Sequence, residues 1–283
     1  MHPTDTSEVL YAVDDGIATI TLNRPNRMNG LTLRMSDLLG KRLEAAGQDP
    51  QVRVVLVTGA GRAFCAGADF DDLEDISSND AGHEDEAEPW RRRAFEIPKP
   101  TIAVINGACA GAGLALALEC DLRYAASGVK LTTSFARRGL VAERSLSWLM
   151  PRVVGLSRTL DLLLSGRVVL AEEAARYSMV DEVFAADELV DRARAYAREL
   201  IRWSSPSSMA AIKWQVYRHA AADLPTTGAE TRALLASAFG QADFAEGIAS
   251  YRERREPHFA PAGNIPQGWP YGQPGPAKNL DRS

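Results

Sequence analysis

Four histidines and three cysteines are spread over 283 residues, too few and too scattered for most side-chain metal or nucleophile chemistry. Cys65, Cys109 and Cys120 form neither a disulfide framework nor a zinc-ligand spacing, and His2, His83, His219 and His258 fall at no metal-ligand interval. No bound metal is therefore expected. A basic excess is also missing: 32 Lys and Arg stand against 37 Asp and Glu, a net charge of −5. A nucleic-acid partner is not expected from that balance, since such partners call for a basic face or stripe. The longest apolar stretch, Leu114 to Leu118, is far short of the roughly 20 residues that a membrane span needs. Residues Met1 to Glu8 are polar and acidic, without the basic start and apolar core of a secretory signal. With an odd number of thiols as well, the expected compartment is the cytoplasm.

The remaining composition, 46% hydrophobic and 24% charged, belongs to the globular class. Val9–Val13 and Ile17–Leu22 flank Asp14-Asp15-Gly16, a hairpin signal. Thr32 is placed to cap a helix carrying Leu38, Leu39, Leu43 and Ala46. Val52–Val57 is a nearly unbroken apolar run, as in a strand buried on both faces. It leads into a loop of small residues ending at Asp69. A second unit repeats the pattern: strand Thr101–Ile105, Gly-rich Asn106–Gly113, then a helix over Leu114–Cys120. A short strand is expected near Val129–Thr132. Helical periods dominate from about Ser145: Ser157 is the expected cap of one helix stopping at Gly166, Asp187 of a longer one, and Pro206 opens another with Met209, Ile212 and Val216 in register. Asp243–Tyr251 reads as a final amphipathic helix. Interleaved strands and helices followed by helices alone predict an α/β class with a helical C-terminal region.

Residues 71 to 88 differ in kind, with nine carboxylates, almost no apolar content and Arg91-Arg92-Arg93 directly after. Such a stretch reads as a solvated loop or as a lid over a substrate entrance. The division expected is a core over 1–200 carrying the acidic loop at 71–97, a helical region over 201–262 and a Pro/Gly-rich tail over 263–283.

Three chemistries compete for the Gly-rich loops. Nucleotide cradling fails, because no Gly-Lys-Ser/Thr ending exists and both partial dinucleotide patterns lack their third glycine: Phe64 follows Gly59 and Gly61, and Leu116 follows Gly111 and Gly113. Gly107-Ala108-Cys109-Ala110-Gly111 has the shape of a nucleophile elbow, with Cys109 as nucleophile and only His219 or His258 to serve it. The third reading uses no nucleophile. Two loops of small residues can each turn a backbone N–H toward one point, and the helix after the second loop adds the positive end of its dipole. Such a pair makes an oxyanion hole.

Taken together, the motifs resemble the crotonase superfamily, the enoyl-CoA hydratase/isomerase family. The resemblance rests on Phe64-Cys-Ala-Gly-Ala-Asp69 and Asn106-Gly-Ala-Cys-Ala-Gly-Ala-Gly113 as its two oxyanion loops, and on Asn23-Arg-Pro-Asn-Arg-Met-Asn-Gly30 as its coenzyme-A loop. Leu164-Ser-Gly-Arg167, Ala171-Glu-Glu-Ala174 and Phe244-Ala-Glu-Gly247 match later markers, and the likeness runs over about residues 8–260. It implies a crotonase-like spiral of repeated ββα units with a C-terminal helical trimerisation region, assembled as a homotrimer or a dimer of trimers. It implies an acyl-CoA thioester as substrate, with coenzyme A present only as part of that substrate. The N–H groups of Ala68 and Ala112 would polarise the thioester carbonyl. Arg27, Gly30, Ala66, Asp69, Phe70, Gly111 and Phe135 would contact substrate, with Arg27 and the Arg91–Arg93 run facing its phosphates. Asp69 also has a plainer reading, as a loop-closing carboxylate.

This sequence departs from the family's hydratases at both glutamates that handle protons during hydration. Ala115 and Phe135 stand at those positions, and neither a methyl nor a phenyl group moves protons. Glu143, in Gly139-Leu-Val-Ala-Glu-Arg-Ser145, aligns with the acid that isomerase-type and dehalogenase-type relatives hold over substrate. Its apolar neighbours Leu140, Val141 and Ala142 predict a raised pKa through desolvation. Glu119, one turn beyond Ala115, is expected to serve structure. The expectation is an acyl-CoA enzyme that isomerises a double bond rather than hydrating it. The alternatives are an acyl-CoA binder without catalysis and the Cys109 hydrolase.

Overall fold

The computed structural model describes residues 7–69 and 93–261; Phe70, the acidic stretch, Arg91, Arg92 and the tail from 262 lie outside the described residues. Strands β1 (Val9–Asp14) and β2 (Ile17–Leu22) form the expected antiparallel hairpin. Asp15 and Gly16 turn it with φ of 54° and 74°, the doubly left-handed turn that matches strand twist. Thr32 accepts a hydrogen bond from Met35 N at 3.0 Å and so caps α1 (Leu33–Gln48). Two strands and a step back then recur. β3 (Val54–Gly59) leads to β4 (Ala63–Cys65), β5 (Thr101–Ile105) to β6 (Ala108–Ala110) and β7 (Leu122–Ala126) to β8 (Lys130–Thr132). The first strand of each pair joins one sheet and the second joins another. The larger sheet has the order β1-β2-β3-β5-β7-β10, parallel beyond the hairpin and ending in β10 (Glu182–Phe184). The smaller has the order β4-β6-β8-β9, closed by antiparallel β9 (Val169–Leu170). Parallel pairing demands crossovers, and α2 (Ala112–Glu119) is one of them, buried at every residue between the sheets and the following helices.

Close approach at that crossover needs glycine. A Cβ on Gly113 would lie 2.7 Å from Cys65 Cβ and 2.8 Å from its Sγ, and closer still to the Cys65 carbonyl oxygen. Gly113→Ala must therefore push α2 off the end of β4. We expect a loss of about 1–3 kcal/mol, as for other overpacked cores, read as a lowered midpoint in urea unfolding. An unchanged midpoint would mean that the two elements part easily.

Downstream come α3 (Leu146–Val154), α4 (Leu156–Ser165), α5 (Ala171–Arg176), α6 (Leu189–Trp203), α7 (Pro206–His219), α8 (Leu224–Phe239) and α9 (Ala242–Glu253). Three sequence expectations need correcting. The cap of α4 is Gly155, at φ 78°, and Ser157 lies inside the first turn. Glu188 rather than Asp187 precedes α6, and that helix runs through the boundary expected at residue 200. On α7 the apolar stripe does not face the core: Ile212 and Val216 are 58% and 63% exposed. The buried side is Pro206, Ala210 and Lys213. The Lys213 ammonium donates to the carbonyls of Ala94 and Lys99 and pairs with Asp121, each at 2.8 Å, so a lysine anchors the helix. Met209 and Ile212 of the stripe instead line an apolar groove with Leu234 and Leu235 of α8 and Phe244 and Ile248 of α9. Among the described residues no helix is long and apolar enough to cross a membrane, and no group of His, Cys, Asp or Glu is arranged to hold a metal ion.

Candidate active site

The two Gly-rich loops meet at the ends of β4 and β6. Cys65 and Ala63 pair with Cys109 and Ala108, which sets the loops side by side. Beyond the strand, Leu31 N donates to Gly67 O at 2.8 Å and Asp69 N donates to Leu31 O at 2.9 Å. In a parallel bridge of this kind the intervening residue points its own N–H the other way, so that of Ala68 faces away from Leu31. Ala112 is the first residue of α2, and its N–H is one of the donors that a helix start leaves without an intrahelical acceptor. The Ala112 nitrogen lies 3.8 Å from where a Cβ on Gly67 would sit. Gly111 makes the turn at φ 51° and ψ −122°, a backbone setting that suits glycine and swings the helix start toward the other loop.

A narrow cleft opens in front of these donors. It is lined by Ala66, Gly67, Ala68, Gly111, Ala112, Ser134, Phe135, Arg138, Leu140 and Glu143. Six of the residues expected at the site thus share one surface: Ala66, Ala68, Gly111, Ala112, Phe135 and Glu143. Phe135 is buried, and a Cβ on Gly111 would lie 3.8 Å from its Cε1, so an apolar ring walls the donors on one side. Glu143 is half-buried, and burial pushes its carboxyl above the usual carboxylate range while the adjacent Arg144 guanidinium opposes that shift. Ala115 is fully buried within α2. Glu119 is fully buried too, and it pairs with Arg144 rather than facing the cleft.

Arg27, Gly30 and Asp69 cluster beside the cleft rather than in it. Asp69 is buried, its Oδ2 accepting from Arg24 Nη1 at 2.8 Å and its Oδ1 lying 3.6 Å from Arg27 Nη2. The same Arg24 nitrogen donates to Gly30 O at 2.6 Å. Asn29 joins the same brace: its Oδ1 accepts from Arg24 N at 2.8 Å, and its Nδ2 donates to Ala60 O at 2.9 Å and Ala63 O at 2.8 Å. Asp69 thus closes the loops together, while Arg27 stays 52% exposed at the rim. Arg24 and Asn29 escape a sequence reading that singles out Arg27, because the partners that tie them to the other loops, Asp69 for Arg24 and Ala60 and Ala63 for Asn29, lie 31 to 45 residues away. Arg93 belongs to another region: its guanidinium donates to Ser145 Oγ, next to the Glu143 segment.

The cysteine reading has no geometry behind it. Cys109 is buried on β6 and does not line the cleft, and desolvation raises its thiol well above the usual range. A thiol of that kind is not a nucleophile near neutral pH. His219 sits on α7 against Glu230, and His258 follows α9, bonded through its N–H to Glu246.

Known proteins resemble the chain in both sequence and fold. The enoyl-CoA hydratase/isomerase family model matches residues 12–262. A 1,2-epoxyphenylacetyl-CoA isomerase of Escherichia coli is 35% identical over 257 residues, covering 89% of this chain and 97% of that protein. A protein of Rhodobacter capsulatus named probable enoyl-CoA hydratase is 36% identical, again covering 89% and 97%. Among solved structures, one of a probable enoyl-CoA hydratase/isomerase from Mycobacterium abscessus superposes with a TM-score of 0.84 at 28% identity, covering 89% of this chain and 98% of that one.

Proposed function

The chain belongs to the enoyl-CoA hydratase/isomerase family and is an acyl-CoA-processing enzyme, and on that premise we propose that it moves a double bond in its thioester substrate rather than adding water across one. The observation that carries this reading is the lining of the cleft. Among the described residues Glu143 is its sole carboxylate, and alanine and phenylalanine occupy 115 and 135. Hydration needs one group to activate water and a second to deliver a proton. A shuttle needs one. With the thioester carbonyl between the N–H groups of Ala68 and Ala112, Glu143 takes a proton from C2 of a 3-enoyl ester. The electron pair moves through C2 onto the carbonyl oxygen, giving a dienolate that the two donors stabilise. The same carboxyl returns the proton at C4, and the product is the 2-enoyl ester. Phe135 keeps water from the anion. The 35%-identical relative is named for isomerising an acyl-CoA, in its case an epoxide, and the 36%-identical one is named a probable enoyl-CoA hydratase.

Incubating the protein with 3-enoyl-CoA and 2-enoyl-CoA esters separates the readings. Isomerisation expects 2-enoyl product from the first and no 3-hydroxyacyl product from the second. Accumulation of a 3-hydroxyacyl ester would overturn it. The runner-up, an acyl-CoA binder without catalysis, expects a thermal shift with these esters and no turnover of either.

We also infer assembly into a homotrimer or a dimer of trimers. Supporting it are Leu156, Leu160 and Leu164, exposed at four-residue spacing along α4, and the open apolar groove of α7, α8 and α9. Contiguous exposed apolar surface of this kind favours burial against another chain. Light scattering on the eluting protein should give three or six times the 30.7 kDa chain mass, and a monomer would refute the inference.

A further inference from the structure

Behind Glu143 lies a buried ion pair that the shuttle does not use. Glu119, the last residue of α2, is fully buried, and its Oε2 accepts from Arg144 Nη2 at 2.5 Å. The Arg144 side chain is 4% exposed. Taking both charges out of water is unfavourable, and apolar packing often stabilises as well, so stability alone is a poor reason for such a pair. The backbone beside it is also held in an uncommon state. Arg144 and Ser145 take φ of 50° and 57°, a left-handed setting that crowds a Cβ. Three contacts keep it there: the Arg144–Glu119 pair, the hydrogen bond from Arg93 Nη1 to Ser145 Oγ, and Leu146 N donating to Glu143 O at 2.9 Å. The residue immediately before this pinned turn is Glu143, and the helix to which it is pinned is the one whose first N–H is that of Ala112.

We propose that Glu119 is a positioning residue, which through Arg144 fixes Glu143 over the cleft relative to the donor at the start of α2. This rests on Glu143 being the base. The pair has an electrostatic consequence as well. Arg144 pulls the Glu143 pKa down against the larger effect of burial, and the guanidinium that does so is itself paired with the Glu119 carboxylate. Among the described residues the other charges nearby are Arg138, which lines the cleft, and Arg93 and Glu96, which act on the Glu119 end. All three stay unchanged in the variants below.

Glu119→Gln keeps the shape and an acceptor for Arg144 but leaves the guanidinium charge uncancelled, so Glu143 should titrate at lower pH than in the wild type. Arg144→Met removes the cation, so Glu143 should titrate at higher pH. Two readouts follow the carboxyl in the full chain: its side-chain 13C resonance, assigned by its loss in Glu143→Gln, and the acid limb of kcat/KM. Opposite displacements in the two variants, with kcat lowered and KM for the ester held, are the expected result. Displacement in one common direction, or none, would reduce the pair to a structural brace and overturn the proposal. Opposite displacements of the resonance with an unmoved kinetic limb would uphold the pair's hold on Glu143 and refute Glu143 as the base. Should Arg144→Met not fold, Glu119→Gln decides alone, because an unshifted resonance there overturns the proposal.

Discussion

Glu143→Gln should lower kcat for 3-enoyl-CoA isomerisation by roughly 10²- to 10⁴-fold, the usual contribution of a positioned acid–base group. Glutamine keeps the size and polarity of the side chain, so the ester should still bind with nearly unchanged affinity, read by calorimetry or thermal shift. The same residue should set the acid side of the pH profile. As the proposed base it would act as a carboxylate, so activity should be lost as pH falls through its pKa. Burial raises that pKa above the free glutamate value of about 4.3, and the loss therefore comes at a higher pH than an exposed carboxylate would give. Glutamine in its place should abolish that limb together with the activity. Survival of wild-type kcat would remove Glu143 from the reaction.

Ala112→Pro tests the other half of the site, with an expected fall in kcat of about 10²- to 10³-fold, as when one oxyanion donor is deleted. Most substitutions at Ala112 leave its N–H in place; proline does not. The first position of a helix is where proline is best tolerated, since its nitrogen needs no intrahelical acceptor and its φ is already helical. Circular dichroism and the unfolding midpoint should therefore stay close to those of the wild type while turnover collapses. A variant that folds normally and turns over at the wild-type rate would show that the Ala112 N–H does not meet the developing anion.

What could be read from residues alone tracks the range of the interactions. The Asp15-Gly16 turn, the Thr32 cap and the Gly166 stop are settled within four residues, and each stands where its local chemistry puts it. The meeting of the 66–69 and 111–113 loops also follows, because repeated strand–glycine–helix units place equivalent loops at the same edge. Less accessible were features whose cause lies elsewhere in the chain. Arg24 looks no different from Arg27 until Asp69 is folded against it. Lys213 sits where an apolar residue is expected, and only the carbonyls of Ala94 and Lys99 and the carboxylate of Asp121 explain its burial. The α8 helix has local start signals, Asp223 as its cap and Pro225 in its first turn, but its interior mixes Thr, Gly and Ala with no buried face and so carries no helical period. Ile212 and Val216 follow helical spacing faithfully, yet Ile212 faces a groove and Val216 is exposed, since periodicity names a face without saying what covers it.

The donors that would polarise the carbonyl are peptide groups held by strand pairing and a helix start. Peptide groups are the one part of a protein that a codon change rarely alters. Replacement of Ala68 or Ala112 by most residues changes the side chain and leaves the donor, whereas replacement at 115, 135 or 143 changes which groups can hand over a proton. The two halves of the chemistry are thus unequally exposed to mutation. On the proposed mechanism, a lineage built on this scaffold can drift from one reaction to another through a handful of side chains over the cleft, while the donors that would stabilise a thioester anion are inherited with the fold.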